Sequence, residues 1–110
     1  MSKIGEFDRR VYEFLTTIPK GKVVTYGITA FAVGHPGAAR AVGNSLHHNP
    51  DGEKYPCFRV VNAEGRLAKH FGFGGMEEQK RRLIADGIEV DGDRVDLGRY
   101  LWHFDQISKL

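Results

Sequence analysis

The chain has one cysteine, Cys57, in "YPCFRVVNAEGR" between a proline and an aromatic residue. A cysteine does chemistry as its thiolate, which needs a nearby cation, a helix N-terminus or a general base. Arg59 follows two residues later, and in an extended segment the two side chains share a face. There the guanidinium would lower the thiol pKa. It would serve a structural carboxylate equally well, and an inert buried cysteine also suits these residue types. His35, His47, His48 and His103 have no cysteine or carboxylate partner at ligand spacing, so no metal site is expected. His47 and His48 more naturally meet phosphate or solvent.

The rest of the composition limits the function classes. At 110 residues the sequence predicts a single domain over 1–110. A lone cysteine excludes an internal disulfide framework and suits a reducing compartment. No stretch has the length of a membrane span and the N-terminus has no apolar core, so a cytoplasmic protein without membrane partners is expected. The net charge of +2 is compatible with nucleic acid without pointing to it. The cations Arg40, Arg59, Arg66, Lys69, Lys80, Arg81 and Arg82 crowd the middle of the chain, and charge alone reads them as a solvated surface.

Several elements must position these groups. Phe7, Val11, Phe14, Leu15 and Ile18 draw one stripe on a helix that Pro19 ends. "KVVTY" predicts a short strand, and "ITAFAVG" a helix of about two turns stopped by Gly34. "HPGAARAVGNSLHHNP" predicts a second helix with Pro36 in its first turn. Ala39, Val42 and Leu46 form one face of that helix; Arg40, Asn44 and His47 form another. Together these two helices make a helix-turn-helix candidate. "FRVV", the turn "NAEG" and "RLA" follow, then the glycine-rich bend "FGFGG". "MEEQKRRLIADG" predicts a helix with its charges ordered along the dipole and Gly87 at its end. The tail predicts two strands around an Asp91-Gly92 turn, with Trp102 as a core anchor. The fold class is α+β: a helical, winged helix-turn-helix with a small β element.

These motifs together resemble the O6-alkylguanine-DNA alkyltransferases. "NPDGEKYPCFRVV" resembles their active-site segment, whose hallmark is Pro-Cys-His-Arg-Val, with Asn49 eight residues before Cys57. "GKVVTYG" resembles the approach to their first DNA-binding helix, "GHPGAARAVGNSLHHNP" their recognition helix, and "FGFGG" their substrate-pocket loop. The resemblance covers residues 6 to 90, the C-terminal half of a full-length member. In size it is nearest the alkyltransferase-like proteins, which bind alkylated DNA without repairing it. They usually carry tryptophan or alanine where this sequence keeps its cysteine.

The resemblance implies a helix docked in the minor groove, where Gly37, Ala38, Ala39, Ala41 and Gly43 let the backbone approach the DNA. It implies that Arg40 fills the gap left by an extruded nucleotide, that Tyr26 crowds the 3′ phosphate, and that Asn44 shares the DNA-facing side. It implies a lesion pocket from Asn49, Pro56, Phe58, His70, Phe73, Gly74 and Gly75, with no cofactor. Which of His70, Phe71 and Phe73 replaces the family's pocket tyrosine stays open. Two departures touch the proton relay: Phe58 stands where the family has histidine, and Asp86 where it has glutamate. His70 would supply a replacement base or be an ordinary loop histidine. The expected function is recognition and flipping of O6-alkylguanine with weak or absent transfer to Cys57, Arg59 and Asp86 completing the catalytic group. The alternatives are a working suicide alkyltransferase and a winged-helix module with no lesion preference. The expected partner of a monomeric protein is duplex DNA carrying O6-alkylguanine, with other DNA-repair proteins as further candidates.

Overall fold

The computed structural model describes residues 5–103. The first four residues, and the tail from Phe104 onward, lie outside it. Helix α1 (Glu6–Leu15) buries Val11, Tyr12 and Leu15. It ends three residues earlier than its apolar stripe: Thr17 and Ile18 donate to the carbonyls three residues back, and Ile18 still reaches the core. A tightened last turn thus satisfies carbonyls that would otherwise be left open.

Strand β1 is only Val24–Thr25, because Tyr26 already opens helix α2 (Tyr26–Ala32). Thr25 caps that helix, its Oγ1 accepting the Ile28 N–H at 3.1 Å. The cap fixes where α2 begins, and so where Tyr26 stands. Replacing Thr25 with Ala is expected to lower stability by about 1 kcal/mol, read as a lower urea midpoint at unchanged slope.

Helix α3 (Ala39–His47) buries Val42 and Ser45. Pro36 does not enter it as expected. Gly34 and Gly37 both take left-handed φ values (+88° and +89°), so the chain completes a separate turn around Pro36 before the helix starts. Helices α1, α2 and α3 pack on one another. Tyr12 ties α1 to α3, its hydroxyl donating to the Ser45 carbonyl at 2.7 Å, while Ser45 hydrogen-bonds Asp8.

Past Asn49 the chain makes a one-turn 3-10 helix at Cys57–Arg59 and then strand β2 (Val60–Val61), paired parallel with β1. The Asn62 side chain organises the predicted "NAEG" turn by accepting the N–H groups of Glu64 and Arg66. Helix α4 (Gly75–Ala85) ends at Gly87, whose φ of +90° is the left-handed stop that its sequence predicts. Strands β3 (Val90–Asp91) and β4 (Arg94–Val95) form an antiparallel hairpin, the wing. Asp91 pairs with Arg94, so the turn is Gly92-Asp93, one residue beyond the predicted pair. Helix α5 (Leu97–Tyr100) follows.

The architecture is a mostly helical α+β winged helix-turn-helix. One apolar cluster joins α1, α2 and α3 to Cys57 and Val60; a second joins Val61, Leu67, Leu83, Ile88, Val95 and Tyr100 under the wing. Trp102 packs half-buried at the edge, stacked on Phe14. No helix among the described residues is long and apolar enough to cross a membrane.

Candidate functional site

Cys57 begins a tight turn instead of lying in an extended strand. Pro56 precedes it, the Cys57 N–H donates to the Tyr55 carbonyl at 2.7 Å, and the Arg59 N–H donates to Pro56 at 3.0 Å. Asn49 braces the turn from behind: its Nδ2 donates to the Tyr55 carbonyl at 2.8 Å and its Oδ1 accepts the Asp51 N–H at 3.0 Å. The thiol is buried, only 4% exposed. Burial pushes its pKa up, and the opposing pulls from Asn49, from the Arg82 charge and from the backbone are smaller. At neutral pH the resting thiol is protonated. Burial also raises the Tyr26 hydroxyl pKa.

Arg59 makes its hydrogen bonds away from the cysteine. Once the segment coils, its guanidinium turns toward Asp86 and forms a two-pronged ion pair at 2.7 and 3.0 Å, while its third arm donates to the Ile18 carbonyl at 2.9 Å. Asp86 also accepts the Gly21 N–H. Of the catalytic group expected from the sequence, the structure brings Arg59 and Asp86 together: their hydrogen bonds go to each other, to Ile18 and to Gly21.

Around Cys57 lies a cavity of about 80 Å³. Tyr26 contributes from α2, and Gly43, Leu46 and His47 contribute from α3. The stretch His70-Phe71-Gly72 closes one side, and Val60, Ala68 and Gln79 close the rest. Phe71, not Phe73, is therefore the aromatic wall, with His70 exposed at the rim. Phe73 packs instead on Gly52, where any Cβ would come within 2.9 Å of its ring. Phe58 also turns away, its ring lying 5.0 Å from the Arg59 guanidinium and facing a separate hollow of about 280 Å³. Gly74 and Gly75 do not line the cavity; their φ values of +125° and +82° bend the chain into α4. Asn49 and Pro56 act through the turn, outside the cavity wall.

Two residues that the sequence analysis did not place at the pocket, Gln79 and the mid-chain cation Arg82, hold this wall together. Gln79 is fully buried; its amide donates to the carbonyls of Phe58 and Val60 and its Oε1 accepts the Ala68 N–H at 2.8 Å. A polar residue between Met76 and Leu83 on the buried stripe of α4 was the available signal. Arg82 lies 5.6 and 5.5 Å from the Phe71 and Phe73 ring centres, and its Nε donates to Glu78 at 2.8 Å. Arg81 also binds Glu78, and the two arginines hold that carboxyl down to about 2.

On the adjoining surface, Arg40 projects from the first turn of α3, exposed and with no hydrogen bond or ion pair among the described residues. Ala38, Ala39, Ala41 and Gly43 flank it, and a Cβ built on Gly37 or Gly43 would meet nothing. Asn44 is exposed on the same helix, its carbonyl accepting from His48. A small-residue helix with one free arginine therefore borders a buried thiol in a small cavity. Among the described residues no three metal-ligating side chains cluster.

A family model described as the DNA-binding domain of 6-O-methylguanine DNA methyltransferase matches residues 6–88. The chain belongs to this family. A DNA base-flipping protein of Escherichia coli is 38% identical over 105 residues, covering 94% of this chain and 80% of that protein. A bifunctional methyltransferase/endonuclease of Picrophilus torridus is 45% identical over 91 residues. That match takes in 82% of this chain and 30% of the longer protein, so the chain spans under a third of it. Among solved structures, S. pombe Atl1 in complex with damaged DNA containing O6-carboxymethylguanine superposes with a TM-score of 0.81 at 35% identity. The superposition covers 92% of this chain and 98% of Atl1.

In this family member the helix pair, the cysteine turn and the glycine-rich loop surround one buried thiol. Phe58 supplies no titratable group next to Cys57, and Asp86 is engaged elsewhere.

Proposed function

We propose that this protein recognises O6-alkylguanine in duplex DNA, turns the nucleotide out of the helix and holds it beside Cys57 with little or no transfer of the alkyl group. One observation carries the second half of that statement. The thiol is buried and protonated, its neighbour is Phe58, and Asp86, which the family resemblance places in the proton relay, is committed to Arg59. Loss of an activating base typically slows such a step a hundredfold or more. The first half rests on the exposed Arg40 in a helix of small residues, on Tyr26 at the cavity mouth, and on the likeness to Atl1 and to the base-flipping relative. Flipping costs a few kcal/mol, less for a poorly paired lesion, so weak pairing itself favours O6-alkylguanine. We assign the protein to the cytoplasm as a monomer that needs no cofactor, with duplex DNA as its partner and other repair proteins as candidates for a later step.

A second reading has its own support. Cys57 is retained, and His47 and His70 both line its cavity, where an imidazole would take the thiol proton. Intact mass separates the two. After incubation with a duplex carrying O6-methylguanine, the expected result is no stoichiometric gain of a methyl group. The lesion duplex should be bound in preference to plain DNA by both the wild type and Cys57→Ser. A methyl gain absent from Cys57→Ser would make the protein a suicide alkyltransferase. Equal binding of both duplexes would leave a winged-helix module.

A further inference from the structure

We propose that Arg82 is a latch that sets which O6-alkyl groups the pocket admits, an inference that rests on the lesion-binding reading above. The cavity at Cys57 is about 80 Å³, far below the roughly 300–1,000 Å³ of ordinary ligand pockets. A wall must therefore move when a base and its substituent enter. The movable wall is Phe71. Behind it, Arg82 faces both Phe71 and Phe73, whose rings are 5.8 Å apart. Beyond Arg82 lies the hollow of about 280 Å³, bordered by Gly52, Phe58 and Asp86. The aromatic pair and the guanidinium are thus the partition between a small inner cavity and a larger outer one.

The partition is built to hinge. Gly72 joins Phe71 to Phe73, and Gly74 and Gly75 follow with left-handed φ values, so only one of the four residues after Phe71 carries a side chain. What keeps it closed is on the other side. Glu78 fixes the Arg82 Nε, and Gly52 leaves room for the ring of Phe73 and for Nη1 of Arg82. A planar cation over an aromatic face is held by the ring quadrupole and by flat stacking, and lysine reproduces only the charge. A substituent no larger than methyl leaves the partition in place. A bulky apolar substituent requires Phe71 to swing into the outer hollow, which breaks the contact with Arg82.

The test measures affinities for duplexes carrying O6-methylguanine, O6-benzylguanine or plain guanine. In Arg82→Ala, the affinity for the benzyl lesion is expected to rise about tenfold relative to the methyl lesion. Arg82→Lys should shift the ratio similarly, because it keeps the charge and loses the stack. Glu78→Gln, which loosens Arg82 without emptying the site, should shift it about threefold. A ratio unchanged within twofold in all three variants, alongside wild-type lesion preference, overturns the latch alone. Absence of lesion preference in the wild type overturns the reading beneath it. The latch is then decided without DNA, from the rate at which a small neutral methanethiosulfonate labels the single cysteine. Removing the Arg82 charge would by itself raise the thiol pKa further and slow labelling, so faster labelling of Arg82→Ala reports an opened wall. An unchanged or slower rate overturns the latch.

Discussion

Asp86→Ala is expected to lower folding stability by about 3–5 kcal/mol, the usual consequence of leaving one member of a buried ion pair unpaired. The Asp86 side chain is 8% exposed and that of Arg59 16%, so little water is available to replace the missing carboxylate. The pair also ties three parts of the chain together. Asp86 closes α4, Arg59 closes the cysteine turn, and the same two side chains reach the Ile18 carbonyl three residues past α1 and the Gly21 N–H before β1. Replacing both charges, as in Arg59→Met with Asp86→Leu, should cost less than Asp86→Ala alone, since no charge is then stranded. Urea denaturation of the single and double variants measures this directly. The outcome separates two roles for Asp86. As a structural ion-pair partner, its loss is felt in stability, and lesion binding persists in whatever fraction remains folded. As a relay base it would be replaceable by Asn at small cost in stability while any transfer stopped. A loss below 1 kcal/mol in Asp86→Ala would return Asp86 to the relay.

The residues of this site were legible in the sequence to different depths, for physical reasons. The stripe from Phe7 to Ile18, the stop at Gly87 and the two-helix segment with its small residues are local patterns, and the fold follows them. The turn at Cys57 was not legible as a turn. "PCFRVV" is β-branched at one end only, and the preceding proline begins a 3-10 turn that no periodicity announces. That single difference redirected Arg59, because a side chain on a coiled segment no longer shares a face with the residue two before it. Its partner Asp86 lies 27 residues away, a distance over which sequence spacing has no geometric meaning. The loop "HFGFGG" failed in another way: with glycines at alternate positions the backbone takes several courses, and only packing against Gly52 decides that Phe73 leaves the cavity and Phe71 stays. Gln79 was visible in principle, as a polar residue among core positions of α4. Nothing short of the folded chain could show that it bridges three backbone groups.

The largest functional effect is expected at Arg40. Arg40→Ala should remove the preference for O6-methylguanine duplex over plain duplex, a loss of roughly 10–100-fold that corresponds to about 1.5–3 kcal/mol. The reasoning starts from what Arg40 does not do. It is exposed and has no hydrogen bond or ion pair among the described residues, so truncating it leaves folding stability within about 0.5 kcal/mol of wild type. It is also the only long side chain in the first half of α3, beside the small residues Ala39, Ala41 and Gly43, which under the proposed function would let the backbone approach the sugar-phosphate surface. A duplex that has lost a base from its stack carries a gap, and a planar guanidinium both fills the gap and stacks on its neighbours. Without that filler the flipped state loses a few kcal/mol of support, and the lesion's weak pairing is no longer read. Phosphate contacts made elsewhere continue to supply non-specific affinity, which falls with salt as phosphate contacts do. The variant should therefore bind plain duplex within a few-fold of wild type and bind the lesion no better. Arg40→Lys refines the point: it preserves the charge, so plain-duplex binding and its salt slope stay as they were, while discrimination falls because an ammonium does not stack. If Arg40→Ala discriminates between the two duplexes as well as the wild type does, the helix is a docking surface only. Lesion selectivity must then arise entirely in the cavity around Cys57.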